Sequence, residues 1–203
     1  MEYWNTLITE KSWDLLKELS KKFKFILIGG WAAYLWTKAH KSKDIDIVVD
    51  FKGLEELKLK YSIKKNDNLK KYEILIDEID VDIYVPYYSN LAVPIEDIKK
   101  NSTKIENFNV VKPEMLLILK QSAEIERAES EKGLKDRIDI MDILLSCDID
   151  FEDYKNKLKK YNLLHYKNRL INIINTFKDL NYINLNSREF KLRKEGLLNK
   201  LKK

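Results

Sequence analysis

The sequence predicts an α/β (α+β) protein: a mixed β-sheet body preceded by an N-terminal helix and followed by a C-terminal helical bundle. Three observations point to this class. Up to residue 112, short apolar runs of strand length alternate with stretches of helical spacing. From Pro113 onward the 3.6-residue period dominates, and the proline itself suits the first turn of a helix. The charge also divides along the chain: residues 151–203 hold 14 basic and 5 acidic side chains (+9), leaving 24 against 28 (−4) in the first 150. We therefore expect an α/β domain over residues 1–112 and a helical domain over 113–203, an acidic, metal-compatible body joined to a basic segment.

Each element has its own signal. Trp4, Leu7, Ile8, Trp13, Leu15, Leu16 and Leu19 follow helical spacing, which predicts a helix over at least residues 8–22. FKFILIGG reads as a buried strand at about 24–28 ending in a tight Gly-Gly turn, and WAAYLWTKA as a helix of two to three turns. HKSKDIDIVVD returns as a strand, and residues 54–60 suit a short helix. YSIKKND and LKKYEILIDEIDVDIYVP read as further strands, with Asp77-Glu78 as a hairpin turn and Pro86 as the stop. Residues 87–112 are patterned weakly, with a short strand at FNVVK. Helices are then expected over 113–130, after a break at Gly133 over 134–147, and two or three more in the basic segment that follows, the last over 187–203.

Composition excludes several classes. Hydrophobic residues at 44% and charged residues at 35% describe a globular chain, not a disordered or fibrous one. Cys147 is the only cysteine, which rules out a disulfide within one chain and a cysteine-ligated zinc site. No apolar run approaches the roughly 20 residues of a membrane span. The amphipathic, acid-containing N-terminus is unlike a signal peptide, so no membrane partner and a cytoplasmic location are expected.

The chemistry concentrates in ILIGGWAAYLWTKAHKSKDIDIVVD. Residues i and i+2 of a strand share a face, so Asp44 and Asp46 present two carboxylates together while Ile45 and Ile47 turn to the core. Such a pair repels unless a cation bridges it, and a hard divalent ion with oxygen ligands, Mg²⁺ or Mn²⁺, does so. Gly29-Gly30 opens a helix, where backbone N–H groups and the helix dipole favour anions. Phosphates on one side and a cation on the other describe a metal–nucleotide site. A third carboxylate is expected from EIDVDIYVP, where Asp80 and Asp82 share a face and Asp82 lies in the stronger part of the β pattern.

The order GG, helix, polar turn and DIDIVV on the next strand resembles the nucleotidyltransferase superfamily with its DNA polymerase β type palm. GGWAAYLW…DIDIVV is similar to the minimal and lincosamide-type enzymes, and PEMLLILK…KDRIDIMDIL resembles the downstream Lys and Asp motifs of AbiEii/AbiGii toxin-type nucleotidyltransferases. The resemblance spans roughly residues 23–145. It implies that Gly29 and Gly30 contact nucleotide phosphates, that Asp44 and Asp46 hold metal, and that Asp82 is the third carboxylate. It implies too that Lys120 neutralises the triphosphate and that Asp136, with Asp139 as the competing choice, is the acidic residue of the last motif.

Ser42 keeps the hydroxyl expected two residues before the first aspartate, but His40 stands where an arginine is common and Trp31 where Ser or Thr is common. Lys41 or Lys43 restores the charge without the bidentate geometry of a guanidinium. The activity implied is transfer of NMP from an NTP to a hydroxyl of RNA or tRNA, a protein or a small molecule. A toxin–antitoxin or phage-defence setting, with an antitoxin protein as partner, goes with it. The alternatives are a catalytically weakened nucleotide- or RNA-binding module acting through a partner, and a purely structural helical adaptor.

Simpler roles stand beside these. Lys120 also reads as a solvent-facing lysine on an apolar helix. Asp136 and Asp139 flank Arg137 in a pattern that suits surface salt bridges. His165 reads as an ordinary helix residue, and Trp31, Tyr34 and Trp36 as packing for the helix behind the glycines, with base stacking as the other choice. The basic C-terminal segment is either a solvated helical face or a surface for RNA phosphates.

Overall fold

The computed structural model describes residues 6–202; Trp4 and Lys203, which the helix patterns above include, lie outside the described residues. The chain divides into two units, Met1–Lys112 and Pro113–Lys203. The first begins with α1 (Thr6–Lys22), β1 (Ile26–Ile28), α2 (Gly29–Thr37), β2 (Ile45–Val48) and α3 (Phe51–Lys58). It continues with β3 (Lys64–Asn66), β4 (Lys71–Ile76), β5 (Ile79–Tyr84), α4 (Ile95–Lys100), β6 (Ser102–Ile105) and β7 (Phe108–Val111). The strands form one seven-stranded sheet in the order β3-β4-β5-β2-β1-β7-β6. The β2–β5 and β1–β7 pairings are parallel and the other four antiparallel, which makes the sheet mixed, as expected.

Two-residue alternation builds the core of this sheet. Ile45 and Ile47 of β2 and Val81 and Ile83 of β5 are fully buried, and the residues between them, Asp46 and Asp82, are half-buried on the opposite face. Asp77 and Glu78 both adopt positive φ (46° and 69°), the geometry that a two-residue hairpin turn between twisted antiparallel strands demands.

The N-terminal helix buries a different stripe from the one its apolar residues suggest. Thr9, Ser12, Leu16 and Leu19 face inward, whereas Leu7 is largely exposed. Ser12 is buried because its hydroxyl accepts the indole N–H of Trp31, also buried, at 2.9 Å. Trp13 packs with Trp31, Tyr34 and Phe108, and Trp36 donates to the Val111 carbonyl at 2.9 Å. These aromatics hold α1 and α2 on the sheet.

Other differences have equally local causes. Helix α3 starts three residues before the expected position because Asp50 caps it, accepting from the Gly53 N–H at 2.8 Å. The stretch 87–112 contains α4 and β6, too short for periodicity to reveal.

The second unit is helical: α5 (Pro113–Glu126), α6 (Glu131–Ser146), α7 (Phe151–Lys160), α8 (His165–Thr176), a 3-10 turn (Leu180–Tyr182) and α9 (Ser187–Lys202). Gly133 is not the break between α5 and α6. It lies in the first turn of α6, where its N–H donates to the capping Ser130 hydroxyl. A Cβ there would lie 2.2 Å from the Arg127 carbonyl oxygen, so glycine admits the close approach of the preceding turn. Among the described residues, no helix is long and apolar enough to cross a membrane.

Candidate active site

The site is built from the junction of β1 and α2. The strand passes into the helix through Gly29, whose φ of +67° is left-handed. The antiparallel register sets Ile28 opposite Asp46, which brings the Asp46 side chain over that junction. A Cβ on Gly29 would lie 2.0 Å from Asp46 Oδ2 and 2.8 Å from its Cβ. Gly29 therefore serves two needs: a conformation that L side chains resist, and room for the carboxylate against the start of α2, where the helix dipole favours negative charge. Gly30 follows, buried, in the first turn of α2.

Across the sheet, register lines up three carboxylates. Asp46 of β2 is opposite Asp82 of β5, and Asp82 is opposite Glu73 of β4. Register partners share a face and neighbouring strands lie about 4.8 Å apart, so the three form one row. Lys71, one pleat away on the same face of β4, bonds Asp82 Oδ2 at 2.6 Å and approaches Glu73 Oε1 at 3.3 Å. Asn66 of β3 donates to Glu73 Oε1 at 2.8 Å, and the Tyr84 hydroxyl lies 3.5 Å from Asp46 Oδ1.

These neighbours set the protonation of the row. Burial, and next the charge of Asp46, push the Asp82 carboxyl up to about 7 against the opposing pull of Lys71. Burial works against the Lys71 ammonium, but its bonds to Asp82 and Glu73 outweigh this and hold it above the usual lysine range. Burial also opposes ionisation of Glu73, yet the bonds from Asn66 and Lys71 leave its carboxyl below the usual range. Lys71 and Glu73 are components that sequence reasoning missed. Their only signal is the i, i+2 spacing in KYEILI, and which strand they face depends on a register set elsewhere in the chain.

Asp44 lies just before β2 and is half-buried, and Ser42 is buried two residues earlier. Lys41, considered above as a substitute for the usual arginine, is hydrogen-bonded to Glu10 of α1. Asp80 is exposed on β5. Among the described residues, no three His, Cys, Asp or Glu side chains are gathered as a group that could hold a metal ion. Asp46 and Asp82 nonetheless fit one chemically: an all-oxygen donor pair in register, with one carboxyl whose ionisation is suppressed by burial and by its neighbour's charge.

The residues singled out in the second unit form a buried ionic network of their own. Lys120 is 6% exposed, with its ammonium 2.6 Å from Asp139 Oδ2 and 3.3 Å from Asp136 Oδ1. Arg127 Nε bonds Asp136 Oδ2 at 2.7 Å. Lys120 is thus not solvent-facing, and Asp136 and Asp139 do not make surface bridges to Arg137. Arg137 pairs with the fully buried Glu124, which also accepts two bonds from Arg169. Burial, and next the charge of Asp139, push the Asp142 carboxyl up to about 7. His165 is exposed at the start of α8, its ring edge-on to Tyr166.

The chain is similar in structure to two solved Helicobacter pylori proteins. Against JHP933 the identity is 16% and the TM-score 0.53, with 95% of this chain and 91% of that chain covered. Against a candidate nucleotidyltransferase of the same organism the values are 16% and 0.52, with 96% and 93% covered. A candidate nucleotidyltransferase from Thermotoga maritima shares 18% identity over 62% of this chain and 91% of that one, with a TM-score of 0.46. No family model matches the sequence, and no curated protein matches it. At these identities the likeness is one of fold: the chain shares the fold of these two H. pylori proteins.

Proposed function

We propose that the chain is a metal-dependent nucleotidyltransferase, moving a nucleoside monophosphate from an NTP to a hydroxyl acceptor with release of pyrophosphate. One observation carries this reading: the register that sets Asp46 beside Asp82 on parallel neighbouring strands, directly against the glycine that opens α2. Asp46 and Asp82 would hold Mg²⁺ or Mn²⁺, which when bound would supply charge to the triphosphate and acidify the acceptor hydroxyl; Asp44, just before β2, is the further ligand that the sequence resemblance implies.

The chain's own groups account for the rest. The N–H groups in the first turn of α2 have no partner within the helix and serve as donors to phosphate oxygens. Asp82 is also the carboxylate proposed to take the acceptor's proton. The acceptor oxygen forms a bond to the α-phosphorus, the bond from that phosphorus to the α,β-bridging oxygen breaks, and the proton passes to Asp82. Ser42, buried beside this strand, fits a positioning role. Lys120 and Asp136, which the resemblance implies as nucleotide-binding residues, are buried and paired with each other in the helical unit.

The surplus of basic side chains in residues 151–203 favours a polyanionic acceptor, RNA or tRNA. The setting in a toxin–antitoxin system with an antitoxin partner follows from the sequence resemblance, and the cytoplasmic location from the single cysteine and the character of the N-terminus. Incubation with α-labelled NTPs, Mg²⁺ and total RNA tests the reading. Label transfer that Asp46→Ala abolishes is the expected result, and equal transfer by the variant overturns it. The Lys71–Asp82 ion pair and His40 in place of arginine favour a second reading, a nucleotide-binding module without transfer; NTP binding with no label transfer by the wild type selects it.

A further inference from the structure

Resting on the reading above, we infer that Lys71 is the site's own counter-ion: it occupies Asp82 until a divalent cation displaces it, and Glu73 then retains it as a positioning residue. One ammonium bridges two carboxylates on adjacent strands, 2.6 Å from Asp82 and 3.3 Å from Glu73, and its side chain is only 13% exposed. Glu73 is a fixed second seat, held by the 2.8 Å bond from Asn66. The ammonium thus needs to shift only slightly along the row to leave Asp82 without losing its own charge partner.

The charges favour this exchange. Asp46, Asp82 and Glu73 carry three negative charges when ionised and Lys71 one positive. With Lys71 held by Glu73, the remaining pair matches a single divalent cation. Until then Lys71 competes directly for the ligand that the cation needs, so the protein alone binds the ion weakly. The ion becomes bound once the phosphate oxygens of an NTP add ligands that Lys71 does not contest.

Titration of the full chain with Mn²⁺ in the absence of nucleotide, read by the electron paramagnetic resonance of the free ion, tests this. Lys71→Met should bind Mn²⁺ roughly tenfold more tightly than the wild type, equivalent to about 1.4 kcal/mol. Lys71→Arg should stay near the wild-type affinity. Unchanged or weaker binding by Lys71→Met overturns the proposal.

Should that variant not fold, Glu73→Gln replaces it. With its second seat gone, Lys71 then holds Asp82 more firmly, and Mn²⁺ binding should weaken; equal or tighter binding overturns the proposal. Failure here is separable from failure of the enzymatic reading. If the wild type transfers label while Lys71→Met leaves Mn²⁺ affinity unchanged, the counter-ion role alone falls. If Asp46→Ala leaves both Mn²⁺ binding and label transfer intact, the nucleotidyltransferase site falls.

Discussion

Replacing Gly29 by alanine should destabilise the first unit and disable the site together. Two terms set the size. At φ +67° an L side chain costs about 1–2 kcal/mol relative to glycine. The new Cβ would also meet Asp46 Oδ2 at 2.0 Å, Cγ at 2.6 Å and Cβ at 2.8 Å. The carboxylate oxygen can rotate away, but the Asp46 Cβ is anchored in a strand paired on both sides, to Ile28 and to Asp82. Relief therefore needs a backbone shift, which for an overpacked position costs about 1–3 kcal/mol.

The sum is roughly 2–5 kcal/mol. With a urea slope of about 1–3 kcal/mol per molar, the midpoint should fall by about 1 M or more. Gly196→Ala is the internal control: it lies within α9, where a Cβ meets nothing within 4 Å, and alanine there should be neutral or stabilising by up to about 1 kcal/mol. Urea unfolding of the three proteins in parallel gives the answer. A Gly29→Ala midpoint equal to that of the wild type would refute the close packing of Asp46 over α2 and with it the geometry of the site.

Two further predictions concern the helical unit. The Asp142 carboxyl is raised from its ordinary value to about 7, so the folded state binds a proton that the unfolded chain has released; stability is full below about pH 4 and is lost as pH rises through 7. Asp142→Asn should remove this slope, gaining on the wild type by roughly 2–3 kcal/mol between pH 5 and pH 7 in urea titrations, and parallel pH profiles would contradict it. Lys120→Met leaves Asp139 and Asp136 buried without their shared ammonium and should cost about 3–5 kcal/mol, partly recovered by adding Asp139→Leu; a loss under about 1 kcal/mol by thermal unfolding would contradict the buried network.

What could be read from the sequence was local. The alternation of DIDIVV and VDIYV identifies two strands and the face of each that bears carboxylates, because a period of two needs no knowledge of neighbours. Asp77-Glu78 announces its hairpin in the same way. What was not legible was non-local: that Asp46 meets Asp82 and Asp82 meets Glu73 follows from strand order, and KYEILI gives no hint that its lysine turns to a carboxylate 11 positions on.

Lys120 shows the same limit in a helix. A single lysine among apolar residues suggests a solvent-facing edge, yet acids 16 and 19 positions later on α6 make burial affordable. Gly29 was visible as a turn glycine. The reason for it, the Asp46 side chain lying across it, required the β1–β2 register.

The most direct test of the central claim is a crystal structure of the full chain with an NTP and Mg²⁺. The account predicts that carboxylate oxygens of Asp46 and Asp82 ligate one cation at about 2.0–2.1 Å, with the triphosphate at the start of α2. An NTP bound away from Gly29, with the cation ligated by neither aspartate, would contradict it.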